Sequence, residues 1–328
     1  MTAIVLAGLD GSNPLGFLAA LGVLAAADAT TSARLAWNND GRWRPVLSSS
    51  LDRGSLLDAL TADLRTWDGD PAVGLAYTKV TKDVARKPGS EAKTTRDLKP
   101  TPARFGGYLA ELIHRVQDTR DARPLAAFLR SARRSLDYAS AFGTEIATDN
   151  AGNVKPTALH FTAGQQEFLK SVLELIEHVN RGDLEEALFG PWQYTRELPV
   201  LSWDATASRD YALRANDPSK SKKTGVPGAD WLAFRGLGFL PVAPVGSEIQ
   251  TAGCYGGWKT GAFYWPLWSS ALSVSAVRSI LTIDDLEGLG AHDRRARGID
   301  AVLCSGIRRS DPGGYGSFLP ADVRPPRR

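Results

Sequence analysis

Ala3-Ile4-Val5-Leu6-Ala7-Gly8-Leu9, then Asp10-Gly11-Ser12-Asn13, then Pro14-Leu15-Gly16-Phe17-Leu18-Ala19-Ala20-Leu21-Gly22-Val23-Leu24-Ala25-Ala26-Ala27: this run decides how the chain begins to fold. The continuous Ile, Val and Leu content of Ala3 to Leu9 predicts a short buried strand, and the four residues after it favour a turn. Asn13 is a good N-cap and Pro14 is tolerated in a first helical turn, so a helix begins at once and runs to Ala27. Leu15, Leu18, Leu21 and Val23, with Ala and Gly between them, predict burial on nearly every side of that helix. Gly16, Ala19, Ala20 and Gly22 leave room for another element to pack closely. The run is shorter than the roughly 20 apolar residues of a bilayer span, and no basic segment precedes it, so it reads neither as a span nor as a signal peptide. The amides after Asn13 are in principle able to hold a phosphate, but a capped core helix is the plainer reading.

Outward from this unit, Arg34 to Trp37 and Trp43 to Leu47 flank Asn38-Asn39-Asp40-Gly41-Arg42, whose Asp-Gly pair signals a hairpin. Leu56, Leu57, Leu60 and Leu64 recur at helical spacing up to Trp67, and Val73 to Tyr77 is expected to return as a strand of the same sheet. Residues 1–77 thus read as an α/β unit. Residues 105–200 read as mainly helical, with helices at Tyr108 to Val116, Leu125 to Arg134 and Gln165 to Asn180. The last is amphipathic through Phe168, Val172, Leu175 and Val179. Short strands at Thr144 to Ile146 and Ala158 to Phe161 lie around a Gly-Asn turn. Within 201–328 the pattern gives a strand end at Leu201 to Asp204, a helix at Ala229 to Gly236 and strands near Val242, Cys254 and Phe263 to Trp268. A helix at Ser273 to Leu281 and a last strand at Ile299 to Ile307 follow. With no internal repeat and no clean linker, the chain is expected to be one compact α+β domain, with an N-terminal βα unit, hairpin and mixed sheet, a mainly helical middle third and an α/β C-terminal part.

The formal charge of +3 on 328 residues is small, so affinity for a polyanion must come from local runs of Lys and Arg. Three such runs exist. Between 78 and 104, Lys79, Lys82, Arg86, Lys87, Lys93, Arg96, Lys99 and Arg104 oppose only Asp83, Glu91 and Asp97, with almost no large apolar residue. This segment reads as a basic, mobile loop outside the packed core. A second loop carries Arg209, Arg214, Lys220, Lys222 and Lys223, with Tyr211 and Trp231 close by in sequence as rings able to stack on bases. The basic tail from Arg294 to Arg328 holds Arg294 and Arg295 among eight cations against three acids, and its terminal Pro-Pro-Arg-Arg is expected to be disordered. Cationic side chains on accessible backbone are what phosphate contacts need, so these residues are the nucleic-acid-binding candidates, although such runs also occur as plain solvated surface.

Signs of catalysis are fewer. His114, His160, His178 and His292 stand singly, without the spacing of a metal or acid–base site, and read as structural or surface residues. Gly253-Cys254-Tyr255-Gly256-Gly257 and Gly236-Leu237-Gly238 lack the full nucleotide-binding patterns and read as turns or bulges. Cys254 and Cys304 are too few for a disulfide framework and offer no CxxC pair, which fits a reducing, cytoplasmic setting, and both read as small core residues. Asp10, Asp204 and Asp230 are a conceivable carboxylate cluster that their separation in sequence does nothing to support. No cofactor and no metal are expected. The nine Trp are mostly assigned to the core.

Five blocks have a further quality: Leu6 to Leu24, Ala158 to Leu169 (ALHFTAGQQEFL), Ser202 to Ser219 (SWDATASRDYALRANDPS), Asp230 to Val242 (DWLAFRGLGFLPV) and Phe263 to Val277 (FYWPLWSSALSVSAV). Together they resemble CRISPR-associated accessory subunits of subtype I-G, formerly I-U, including those described as an extension of the helicase-nuclease. The blocks are a minority of the chain and none is a catalytic signature. The resemblance implies antiviral defence: a non-enzymatic subunit of a type I interference complex, partnered by other CRISPR-associated subunits and the helicase-nuclease, and by guide RNA or target DNA. No helicase motif and no HD-type metal motif stand in the sequence, so the resemblance places DNA degradation in another chain. The reading set against it is a hydrolase or nuclease whose site is assembled from scattered Asp, His and Cys; a third is a pure protein-interaction module.

Overall fold

The computed structural model describes residues 2–78, 93–118, 125–163, 166–206, 224–310 and 314–327, with backbone alone at 116, 118 and 125–133. The chain opens with strand β1 (Thr2–Val5), and Asn13 then starts helix α1 (Pro14–Asp28) by accepting the Leu15 amide on its side-chain oxygen, with Pro14 in the first turn. Strands β2 (Arg34–Asn39) and β3 (Trp43–Ser49) form the expected hairpin, with Gly41 at φ +96° in its turn. Because α1 carries the chain past β3, the sheet order is β1-β3-β2 and both pairings are antiparallel, as is every strand pairing described; the expected mixed sheet is corrected to antiparallel ones.

The first strand is shorter than its apolar run and mostly exposed, with Val5 48% accessible. The Gly8 amide leaves the sheet to donate to the Leu188 carbonyl at 2.8 Å, so Leu6 and Leu9 are buried in irregular backbone. Helix α2 (Arg53–Arg65) is capped by Asp52 and buries Leu56, Leu57, Leu60 and Leu64. The expected strand at Val73 to Tyr77 is instead a 3-10 turn, Pro71–Val73, capped by Asp70, followed by β4 (Tyr77–Thr78), which pairs only with β5 (Thr94–Thr95).

Helices α3 (Pro102–Asp118) and α4 (Leu125–Phe142) lead into the hairpin of β6 (Gly143–Thr148) and β7 (Val154–Pro156). Ala158 to Phe161 is not a strand. Its carbonyls are taken singly: Leu159 by the Trp203 indole N–H, Ala158 and His160 by the Arg309 guanidinium, and Phe161 by the Gly316 amide. The long helix expected from Gln165 to Asn180 is α5 (Phe168–His178), and Asn180 then caps a separate helix, α6 (Arg181–Phe189), in a reciprocal box with Asp183. Leu201 to Asp204 is irregular, with Ser202 at φ +66°.

Helix α7 (Pro227–Leu237) is buried along its whole length and crosses α1 so closely that a Cβ on Gly22 would collide with the Leu232 carbonyl, and one on Gly236 with that of Leu18. Beyond it come the hairpin of β8 (Val242–Val245) and β9 (Glu248–Thr251), then β10 (Cys254–Tyr255), β11 (Ala262–Leu267), α8 (Val274–Leu281), α9 (Ala291–Ala296) and β12 (Ala301–Arg309). The expected last strand is not last, for β13 (Gly316–Phe318) and β14 (Asp322–Arg324) both pair with β12. Nor is the tail outside the fold as far as Arg327, whose amide donates to the Leu289 carbonyl.

The two main sheets are sewn together at 268–272, where the Trp37 amide donates to Trp268 and Leu35 and Leu272 exchange both hydrogen bonds. On this seam Phe17 of α1 stacks on Trp37, with Trp265 5.8 Å away, and one buried apolar cluster runs from Leu6 to Phe318. Six tryptophans, Trp37, Trp67, Trp203, Trp231, Trp265 and Trp268, are fully buried. Trp231 therefore has no ring face to offer a base; its neighbours are Trp67 and Phe234. Among the described residues no helix is long and apolar enough to cross a membrane.

Candidate nucleic-acid interface

Two turns of the C-terminal sheet meet at one end. Ala262, the first residue of β11, pairs with Gly306 near the end of β12, so the turn between β10 and β11 lies beside the turn between β12 and β13. The first turn is made possible by Gly256 at φ +91°, a conformation that suits glycine, and is closed by the Thr260 amide donating to Gly257. In the second, the Ser310 amide donates to Tyr315 and the Tyr315 amide to the Ser310 hydroxyl. These turns present Trp258 and Lys259 on one side and Arg308, Arg309 and Tyr315 on the other. Trp258 is 48% exposed and Tyr315 39%.

Arg309 fixes this corner. Its Cζ lies 3.5 Å from the Trp258 ring centroid, while Nε donates to the Trp258 carbonyl, Nη1 to His160 and Nη2 to Ala158. Burial pulls the guanidinium down to about 10, the nearby Cys254 sulfur opposing the shift, so it stays charged at neutral pH. Lys99 approaches the same ring, with Nζ 5.5 Å from its centroid.

Residues within a few positions of both internal basic segments lie beside the C-terminal sheet. Segment 79–92 joins β4 to β5; just after β5, Asp97 binds His160, whose carbonyl holds Arg309, and Lys99 reaches Trp258. Segment 207–223 is rooted at Thr206, bonded to Asp204, and at Thr224; Asp204 and Thr224 share a cavity of about 30 Å³ with Ser317 of β13, two residues from Tyr315. Lys79, Lys82, Arg86, Lys87, Arg209, Tyr211, Arg214, Lys220, Lys222 and Lys223 lie outside the described residues.

The other candidates divide sharply. Lys93 is exposed, its ammonium 3.3 Å from Glu167. Arg96 bonds Glu167 through its amide and lines a hollow of about 200 Å³ with Asp70, Glu111 and Arg115. Arg295 is exposed, with Nε donating to Ala291. Arg294 is corrected: it is 4% exposed, and its guanidinium donates to the carbonyls of Leu289, Arg324 and Pro325, so its donors serve the fold where a phosphate contact would need them at the surface.

Groups suited to chemistry are mostly held in structure. His160 is buried, and its Nε2 meets both Asp97 at 2.7 Å and the Thr162 hydroxyl at 3.0 Å, so the three form a tie around one nitrogen and no relay through the ring. Burial works to raise the Asp97 carboxyl, yet the His160 charge and hydrogen bond, with the amides of Phe168 and Leu98, hold it below the usual carboxylate range. His114, His178 and His292 are exposed. Cys254 and Cys304 are buried, and burial pushes the Cys254 thiol up, away from the thiolate a nucleophile needs. Asp204 and Asp230, far apart in sequence, do line one cavity with Tyr194. Asp204 is already bound by Asn13, Tyr194 and Thr206, and Asp230 accepts the Leu201 amide. Among the described residues no three His, Cys, Asp or Glu are grouped to hold a metal.

A larger cavity of about 620 Å³ lies between α1, α2, α4 and α8, but its arginines are paired with acids: Arg235 with Asp63, Arg278 with Asp137 and Arg134 with Asp70. It offers no cationic excess to a polyanion. Trp258 and Tyr315 went unnoticed in the sequence; the one local signal was an aromatic beside Lys in the glycine-rich turn Gly256-Gly257-Trp258-Lys259. No known protein family matches the chain, and no curated protein does.

Proposed function

We propose that the chain is a non-enzymatic, cytoplasmic subunit of a type I CRISPR interference complex, contacting guide RNA, target DNA or the helicase-nuclease through its basic segments. The binding role rests on the two internal runs of Lys and Arg in the sequence; among the described residues Lys99 and Arg309 stand beside the half-exposed Trp258 ring. Runs of Lys and Arg with few acids among them suit a phosphate backbone better than a small substrate.

The type of assembly comes from the resemblance, and the packing supports treating its blocks as one unit. Asn13 donates to Asp204, the Trp265 indole to Gly11 and the Trp203 indole to Leu159; Gly22 and Gly236 seat α1 on α7; Phe168 lies 6.3 Å from Phe234. All five blocks thus touch in one core.

Purification of the native complex, with identification of its protein and RNA content, tests the assembly role. Replacing Lys79, Lys82, Arg86, Lys87, Arg96, Lys220, Lys222 and Lys223 by Ala tests the contacts. Each lost phosphate contact flattens the dependence of log affinity on log salt by roughly 0.7–0.9, with similar loss across sequences. A substituted protein that assembles and interferes like the parent at several salt concentrations would show these segments to be solvated surface only.

A further inference from the structure

We infer that the outer edge of β1 docks a second copy of this chain, the two strands pairing antiparallel about a two-fold axis so that two three-stranded sheets become one. This reading goes beyond the nucleic-acid role above and does not depend on it. In the order β1-β3-β2 each outer strand has one side turned away from β3. On β2 that side is in use, for the Leu35 and Trp37 amides donate to Leu272 and Trp268. On β1 it is open. The Leu6 amide donates to the Pro45 carbonyl, and the register runs on without a slip through Ile4 opposite Leu47 to Thr2 opposite Ser49. Antiparallel bonding alternates, so Thr2 and Ile4 bond to β3 while the amides and carbonyls of Ala3 and Val5 point outward. Among the described residues β1 pairs with β3 alone, and Thr2, Ala3 and Val5 are exposed, Val5 to 48%.

Proteins guard such edges with charged side chains, proline or a bulge. Residues 1–9 contain no charged residue and no proline, and the pairing with β3 has no bulge. The strand also complements itself in one register. With Ile4 on the axis, Ala3 of each copy lies opposite Val5 of the other, and each such pair exchanges both hydrogen bonds because both residues turn their backbone groups outward. An axis at Val5 would set Ala3 opposite Ala7, past the end of the strand, where the Gly8 amide has already turned to Leu188. An axis at Ala3 would set Val5 opposite position 1, ahead of the strand. Ile4, half-buried against the core, then meets its own counterpart. On the other face Val5, Val46 and Ala36 lie in one cross-strand row, which Ala3 of the second copy extends with another apolar side chain. No like charges are brought together, whereas a strand from a charged partner would lay its charges along this apolar row.

A strip of four residues is at the low end of interface sizes, so the dimer is expected to be weak and to follow concentration. Sedimentation of the full chain between about 1 and 200 µM should show a mean mass rising from 35.3 kDa toward twice that value. Val5→Lys places a charge on the exposed edge and should raise the dissociation constant at least about tenfold. Val5→Pro removes an amide that β3 does not use and should do the same, with urea midpoints showing that both variants fold. Single cysteines read the register, since the native Cys254 and Cys304 are buried. Ile4→Cys faces itself across the axis and should give a disulfide-linked dimer with diamide, which takes up the two electrons and two protons lost by the thiols. Ala3→Cys lies on a diagonal of about 7–8 Å from its counterpart, past the usual disulfide reach, and should link far less. A parent that stays at 35.3 kDa over the whole range overturns the pairing. So does a dimer that Val5→Lys leaves unchanged, or one that Ala3→Cys links as fully as Ile4→Cys. All these readings are made without nucleic acid, so their failure is distinct from failure of the function proposed above.

Discussion

Substituting Gly22 by Ala places one methyl group where α1 and α7 cross. The added Cβ would fall well inside contact distance of the Leu232 carbonyl, and the next obstacle is the Leu232 carbonyl carbon, so backbone and not a pliable side-chain tip must give way. Neither helix has an easy retreat: α1 is held on its other side by Trp37 and Trp265, and α7 is buried throughout. Relief requires the helices to part, and a gap of about 0.5–1 Å already forfeits a quarter to a half of each dispersion contact along the crossing. The cost is expected at or above the top of the usual overpacking range, about 3 kcal/mol. For a chain of this length that is a melting temperature lower by about 4–5 °C, measured by circular dichroism and checked by the urea midpoint. Gly106→Ala is the control: Gly106 lies within α3, nothing stands near its missing Cβ, and Ala there should gain about 0.4–1 kcal/mol. If Gly22→Ala melts with the parent, the close crossing of α1 and α7 is not how this core is built.

Two further measurements probe the candidate cations and the His160 tie. Arg294→Ala leaves three carbonyls at the C-terminal end without their donor and should cost about 2–3 kcal/mol, while its exposed neighbour Arg295→Ala should stay within about 0.5 kcal/mol. Equal effects on urea midpoints would contradict the different roles assigned to them. Asp97, held below the ordinary carboxylate range in the fold, contributes stability that is fully present above the unfolded carboxylate pKa and is lost as pH falls through its folded value. Asp97→Asn should therefore lower stability at neutral pH and flatten the loss seen on acidification below about pH 4. An unaltered acid limb in that variant would show that Asp97 is not one of the carboxylates responsible.

What the sequence made legible was local. Asn13-Pro14 and the Asp-Gly hairpin each act within a few residues, and each element stands where its signal puts it. Ala158 to Phe161 misled because its apolar character reports burial truly, while the donors that satisfy its backbone come from Trp203, Arg309 and Gly316. The same limit shortened β1, whose continuation is claimed by Leu188. At the interface, runs of Lys and Arg are visible as composition, but composition did not separate buried Arg294 from exposed Arg295. Trp231 and Trp258 pose the problem most plainly: both are tryptophans near basic residues, and only the tertiary contacts put one in the core and the other in water.

The crossing of α1 on α7 and the seam at 268–272 also have a consequence for how the protein is made. Helix α1 has almost no polar face, and its main partners, α7, Phe263 and Trp265, lie more than 200 residues further along the chain. At roughly 5–20 residues per second, a ribosome leaves this segment uncovered for about 10–40 s after it emerges. The nascent chain must be shielded over that interval or aggregate through α1. Production of an N-terminal fragment by itself should accordingly yield insoluble material, and co-expression with a fragment carrying 224–328 should restore solubility by supplying the missing side of the helix.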